Sequence, residues 1–321
     1  MREHGGNLDL AQQRFGGRAE DWIDLSTGIN RVPYPVGEVS MRAWSALPSR
    51  AEIDALHQAA RHAYRTSAPL VAMGGAQAAI QLLPQLAPPG RVHILAPTYN
   101  EYAGVLSAAG WDVEEVGEFD ALAGADLAIV VNPNNPGGGR HSPKDLATLL
   151  PRVGRLVIDE SFADAVPQLS LASEADRPGL LVLRSFGKFY GLAGLRLGFA
   201  IGSSTDIAKL AAASGPWPIS GAAIAIGCRA LRDEAWAEAT CARLARDCVR
   251  LDAMAQSQGW RLVGGTPLFR LYQTPDALAA QEKLARGQIW SRIFAQEPTW
   301  LRLGLPGSEA EWSRFAEVLA R

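Results

Sequence analysis

The chain has 321 residues, 48% of them hydrophobic, and a formal net charge of −2. That is enough apolar material for one large core, or for one big domain plus a smaller one, and the charge gives no sign of the basic footprint of a nucleic-acid binder. Mean hydropathy is −0.01, and no apolar run approaches the ~18 residues of a membrane span. The opening MREHGGNLDLAQQ is polar and lacks the apolar stretch of a signal peptide, so the expected location is cytoplasmic.

In chain order, apolar runs alternate with helical patterns. MGGAQAAIQLL (73–83) is a Gly-Gly turn running into a helix. RVHILAP (91–97) reads as a strand and NEYAGVLSAAG as a helix. ADLAIVVN (125–132) is the next strand, then SPKDLATLLPRV a helix, with Ser142 as candidate N-cap and Pro143 in the first helical position. RLVIDE (155–160), GLLVLRS (179–185) and GLRLGFAIG (194–202) read as further strands. This alternation predicts an α/β sheet, mostly parallel and covered on both faces. A long helical region spans about 221–258, and a smaller α+β texture follows, with a boundary at the Gly-Pro and Trp-Pro steps of 215–218. Cys241 and Cys248 stand seven apart in helix, roughly 10 Å, too far for a disulfide, so Cys228, Cys241 and Cys248 read as unbridged thiols in a reduced compartment.

Ligands of open parallel sheets bind beyond the carboxyl ends of the strands. There the chain delivers Thr98 and Tyr99, the loop NPNNPGGG with Asn132, Asn134 and Asn135, then Asp159-Glu160, and last Ser185 and Lys188. Each has a structural reading: the Asn-Pro loop is a good turn, an aspartate after an apolar run caps helices, a tyrosine packs, and a lysine is solvated. Those readings weaken together because all four groups fall at one sheet edge. Lysine is also scarce, four of 31 basic residues, and unlike arginine it can lose its proton and attack a carbonyl. The Gly-Gly turn before a helix suits a phosphate, as does Ser185 with Arg196. This is no P-loop, since Val182 stands where that motif needs glycine, and Gly191, Gly194 and Gly198 are wrongly spaced for a dinucleotide fingerprint. One ligand uses every part: pyridoxal 5'-phosphate, an aromatic aldehyde carrying a phosphate and acting as the electron sink of amino-acid chemistry.

NPNNPGG, the IDES segment and SFGKFYGLAGLRLGF, in this order, resemble the fold-type I, aspartate-aminotransferase-like enzymes that use pyridoxal phosphate. The resemblance implies a large α/β domain over 36–215, with a mostly parallel seven-stranded sheet sandwiched by helices. It implies an N-terminal arm, connecting helix and small α+β domain over 1–35 plus 216–321. It gives Lys188 the Schiff base with the cofactor, Asp159 the ring nitrogen, Asn135 the ring oxygen and Tyr99 the stacking. Gly75, Ala76, Ser185 and Arg196 receive the phosphate, and Arg302 the substrate carboxylate. Within the superfamily, HGGN (4–7) and DLSTGINRVPYP (24–35) are similar to the L-threonine-O-3-phosphate decarboxylases of cobalamin biosynthesis. That branch would put His4 and Asn30 near a phosphorylated amino-acid substrate and Arg292, in WSRIF, on its phosphate. The other enzymatic reading is an aminotransferase of the histidinol-phosphate type. The resemblance further implies a homodimer; no metal, nucleic acid or membrane partner is expected. Three places depart from the pattern: Phe162 stands where the transaminases usually carry tyrosine, Leu47-Pro48 where a Tyr-Pro step reaches the partner subunit's phosphate, and the helix-start segment GGAQ lacks the acidic residue often found there.

Overall fold

A computed structural model describes residues 4–321, and the chain divides into two units. The larger comprises 34–135 and 139–238; the smaller comprises the described residues up to 33, then 136–138 and 239–321. The division falls inside the helix Glu234–Ser257.

The larger unit is built on seven strands: β1 (Leu70–Met73), β2 (Arg91–Leu95), β3 (Asp112–Val116), β4 (Leu127–Val131), β5 (Leu156–Asp159), β6 (Leu180–Ser185) and β7 (Gly198–Gly202). Their order across the sheet is β1-β7-β6-β5-β4-β2-β3. The pairs among β2 to β6 are parallel, whereas β7 runs antiparallel to both β1 and β6. The central strands read LAIVV, LVID and LLVLRS because both faces are covered, and an unbroken apolar run is what such a strand needs. The edge strand β3 reads DVEEV, and its exposed charges discourage further strand pairing. Val92, Ile94, Ile129, Val157, Leu181 and Leu183 join Ile80, Tyr102 and Leu106 in one buried cluster.

Three local readings are corrected. The strand predicted from Gly194 begins only at Gly198, because 193–195 form a 3₁₀ turn and Arg196 adopts a left-handed conformation (φ 52°, ψ 51°). The helical region from about 221 is two helices, Gly221–Ala230 and Glu234–Ser257, restarted where Asp233 Oδ1 accepts from the Trp236 N–H at 3.0 Å. Strands β1 and β3 were not predicted; β3 has a polar pattern that hides it. Ser142 caps the helix Pro143–Ala147 as its place before Pro143 predicts, in a reciprocal box with Asp145.

The smaller unit holds a four-stranded antiparallel sheet of β8 (Arg261–Thr266), β9 (Phe269–Gln273), β10 (Arg292–Phe294) and β11 (Glu297–Gly304), in the order β10-β11-β9-β8. The helix Ala277–Arg286 lies near β11 and against the helix Glu309–Ala320, and Phe269, Leu303, Trp312 and Phe315 are buried. Pro136–Gly138 belongs here because Gly137 and Gly138 lie directly on Gly264 and Gly265, so closely that a Cβ at Gly138 would strike backbone.

Candidate active site

The parallel strands end at one edge, and each delivers a functional group there. Asp159 closes β5 and is 3% exposed, so its charge has to be met by donors. Its Oδ1 accepts the Ser161 N–H at 2.8 Å and its Oδ2 accepts the Tyr102 hydroxyl at 2.7 Å. The β6 strand ends in Ser185 and turns at once into the short helix Phe186–Phe189, which carries Lys188. Behind these, Glu160 and Arg184 form a buried ion pair at 2.7 Å, and Arg184 also meets Asp164 at 2.8 Å. Burial opposes the Arg184 charge, but Asp164 and Glu160 outweigh it and hold the guanidinium above its ordinary pKa. This network clamps β5 to β6 beside the residues that matter.

The antiparallel strand brings in the cation. Because β7 runs opposite to β6, its first residue Gly198 pairs with Ser185 and with Met73. Arg196, just before it, therefore arrives at the same edge as the strand ends. Gly75 (φ 82°) makes room: a Cβ there would stand 3.0 Å from Arg196 Nη2. The asparagine loop divides its labour. Asn132 bonds the His141 backbone on both sides, through Nδ2 at 3.1 Å and Oδ1 at 2.9 Å, and Asn134 donates to Pro97 O and accepts from Thr98 Oγ1. Both tie the loop together, and Asn135 faces a cavity.

That cavity has a volume of about 160 Å³, roughly ten times what one water needs. Gly75, Ala76, Tyr99, Asn135, Asp159, Ser185, Lys188 and Arg196 all line it. So do Gln77, Ser161, Phe162 and Gly187, which were not singled out as site residues, with Ile80, Val131, Ala193 and Leu197 completing the wall. The Lys188 ammonium lies 5.7 Å from the Phe162 ring centroid. Tyr99 donates to Gln77 Oε1 at 3.1 Å, and Gln77 in turn donates to Glu101 Oε2 at 3.1 Å, which sets the orientation of the tyrosine ring.

The other four candidate residues lie in the smaller unit. Arg292 and Arg302 are cross-strand neighbours on β10 and β11. Burial first, and the Arg292 charge second, push the Arg302 guanidinium down to about 10, with Asp24 opposing. Arg302 Nη2 donates to Ser26 O at 2.6 Å and Arg292 Nη1 to His4 O at 3.4 Å. The HGGN arm is held by the Gly6 N–H on Ser26 Oγ at 2.7 Å, and Gly5 admits it because a side chain there would meet the Ser26 carbonyl. Asn30 Oδ1 accepts from Arg243 Nη2 at 2.7 Å. Two guanidiniums brought side by side are what a ligand with more than one anionic group requires.

The family model for class I and II aminotransferases matches residues 25–319. The chain belongs to that family. It is 45% identical to a threonine-phosphate decarboxylase of Sinorhizobium and 42% identical to one of Pseudomonas aeruginosa, in each case over 99% of this chain and 97% of the relative. A histidinol-phosphate aminotransferase of Mycobacterium bovis is 38% identical over 85% of this chain and 75% of its own length. Among solved structures, the histidinol-phosphate aminotransferase of Sinorhizobium meliloti, in complex with pyridoxal 5'-phosphate, superposes with a TM-score of 0.83 at 18% identity, covering 97% of this chain and 94% of that one. The L-threonine-O-3-phosphate decarboxylase of Porphyromonas gingivalis gives 0.72 at 19% identity, covering 92% and 97%.

For this aminotransferase-family chain, sequence reading missed Tyr102 and Gln77, although both sit in stretches it quoted. Tyr102 follows Tyr99 by three residues, in the first turn of the helix Glu101–Ala108, and that nearness was the available signal. Nothing local distinguishes Gln77 from a solvated glutamine.

Proposed function

We propose that this chain is a pyridoxal 5'-phosphate-dependent decarboxylase that converts L-threonine O-3-phosphate to (R)-1-amino-2-propanol O-2-phosphate and CO₂ in cobalamin (vitamin B12) biosynthesis. The observation that carries the reading is the likeness to threonine-phosphate decarboxylases at 45% and 42% identity along the whole chain, against 38% over 85% of it for an aminotransferase.

The cavity fits the cofactor by its donor set. It presents an amine, one carboxylate, an aromatic ring, a side-chain amide, and a hydroxyl with a guanidinium beside a glycine turn. Bound pyridoxal phosphate supplies an aldehyde that takes up the substrate amine and a conjugated ring that accepts the electrons of a breaking bond at Cα. Lys188 Nζ holds the aldehyde between turnovers. Asp159, nearly dry, would meet the ring nitrogen and would stabilise positive charge there. Tyr99 would stack on the ring, and Asn135 would donate to its oxygen. Ser185, Arg196 and the backbone of Gly75 and Ala76 hold the phosphate. Phe162 has no hydroxyl, so Asn135 is the side-chain donor assigned to the ring oxygen. Arg302 grips the substrate α-carboxylate until CO₂ departs. Arg292 takes the side-chain phosphate through paired charge-assisted hydrogen bonds, with His4 and Asn30 as further substrate contacts. After carbon dioxide leaves, Lys188 Nζ or water returns a proton to Cα.

The proposal includes a homodimer in the cytoplasm. Val36, Met41, Trp44 and Leu47 stand exposed in one short stretch, Met41 by 75%, and an apolar strip of that kind suits a subunit interface. The cysteines form no disulfide among the described residues, as a reducing compartment would have it. No described helix is long and apolar enough to cross a membrane.

Mass analysis of the product from enzyme, pyridoxal phosphate and O-phosphothreonine tests the reaction. Release of CO₂ with a decarboxylated amine supports it. Stoichiometric glutamate from added 2-oxoglutarate, with no CO₂, replaces it with transamination. Sedimentation at micromolar concentration tests the dimer.

A further inference from the structure

Asp159 is the only acidic side chain on the cavity wall among the described residues. Both of its oxygens are already engaged. The Ser161 N–H on Oδ1, at 2.8 Å, comes from the local turn two residues on. The hydroxyl on Oδ2, at 2.7 Å, comes from Tyr102, 57 positions back and on the separate helix Glu101–Ala108. Tyr102 is fully buried, one of the largest side chains in the core, and does not itself reach the cavity. Burial, and then the neighbouring Asp159 charge, push its phenol well above the ordinary value, so it keeps its proton and can only donate to the carboxylate. One turn earlier, Tyr99 lines the cavity, edge-on to Tyr102 with ring centroids 6.4 Å apart and planes at 83°. The segment leading into this helix and its first turn therefore supply an aromatic wall of the cavity and a grip on its acid.

We propose that Tyr102 is a positioning residue for the reaction: its hydroxyl holds the Asp159 carboxylate in one orientation and withdraws part of its charge, so that the proton shared with the ring nitrogen of the bound cofactor rests on the nitrogen. The inference builds on the pyridoxal phosphate reading above. A carboxylate that already accepts two hydrogen bonds competes less well for a further proton. Removing the hydroxyl while keeping the ring leaves the packing intact, lets the carboxylate turn and makes it the stronger competitor.

The test is Tyr102→Phe loaded with cofactor labelled with ¹⁵N in the ring. The ring-nitrogen resonance is expected to move toward its unprotonated position, and the dissociation constant of the cofactor to rise about tenfold. With cofactor saturating, kcat falls by a similar factor while KM for substrate stays unchanged. Tyr272→Phe is the control. It removes another phenol–carboxylate bond, from buried Tyr272 to the partly exposed Asp252 at 2.7 Å, in the smaller unit. It should lower the melting temperature and leave every cofactor signal where it was. If Tyr102→Phe behaves like Tyr272→Phe, the positioning role is wrong and the hydroxyl is only a satisfied core group. If Tyr102→Phe does not fold, ¹³Cζ-tyrosine labelling of the unsubstituted protein decides: the Tyr102 signal must shift when the cofactor binds, and a stationary signal overturns the inference. A wild type that binds no cofactor overturns the parent reading and this one with it.

Discussion

Arg184 is the residue whose loss should be felt most widely. Its guanidinium meets Glu160 at 2.7 Å and Asp164 at 2.8 Å, with the three side chains only 4%, 0% and 7% exposed. Its Cζ also stacks 4.3 Å from the centre of the Tyr64 ring. Arg184→Met keeps the unbranched stem and much of the volume, so the change is mainly one of charge. It leaves two carboxylates buried without their shared cation. Removing one partner of a buried pair costs about 3–5 kcal/mol, and two acids sharing one cation place this case toward the upper end. Against a typical total of about 5–15 kcal/mol, the variant approaches the edge of folding. The pH response gives a second handle. Burial already pushes the Glu160 carboxyl up, and Arg184 is the first group opposing that push, so the variant pushes it higher still. In the window between the unfolded and the raised native value, the native state binds more protons than the unfolded one. Unfolding free energy therefore rises as pH falls through that window, and the deficit shrinks. Urea denaturation followed by far-UV circular dichroism at pH 7.5 and 5.5 measures both effects, and adding Glu160→Gln should recover part of the loss at pH 7.5. A deficit below about 1 kcal/mol at pH 7.5, the range of exposed pairs, refutes the reasoning, and so does a deficit that grows on acidification.

Lys188→Ala is expected to abolish the visible absorbance of protein-bound pyridoxal phosphate and its reductive trapping by borohydride; a surviving band that borohydride still traps removes Lys188 from its role. Arg292→Ala should raise KM for O-phosphothreonine by about tenfold or more, through loss of a charge-assisted phosphate contact, and change KM for unphosphorylated threonine little; equal effects on the two would assign Arg292 elsewhere. Gly75→Ala forces a side chain into φ 82° with its Cβ 3.0 Å from Arg196 Nη2. A stability loss of about 1–2 kcal/mol should accompany a weaker hold on the cofactor, and retention of both melting temperature and affinity would show that the glycine is not needed there.

Fold class was legible from the sequence because it depends on short-range pattern. Unbroken apolar runs such as LAIVV and LLVLR suit strands covered on both faces, and the helices between them point to a mostly parallel sheet. The groups at the strand ends were legible for the same reason: Asp159, Ser185 and Lys188 each come at or within a few residues of the end of an apolar run, so their place at one edge follows from topology. What escaped were facts about partners distant in the chain. A pattern of a few residues cannot show that Tyr102 reaches Asp159 across 57 positions, or that Arg184 satisfies both Glu160 and Asp164. Nor can it show that β7 is antiparallel, which is what carries Arg196 to the edge where the parallel strands end. Strand and helix periodicity depends on neighbours within a turn or two. Which lone pair a buried donor meets depends on how elements pack, and for this chain only the tertiary structure decided that.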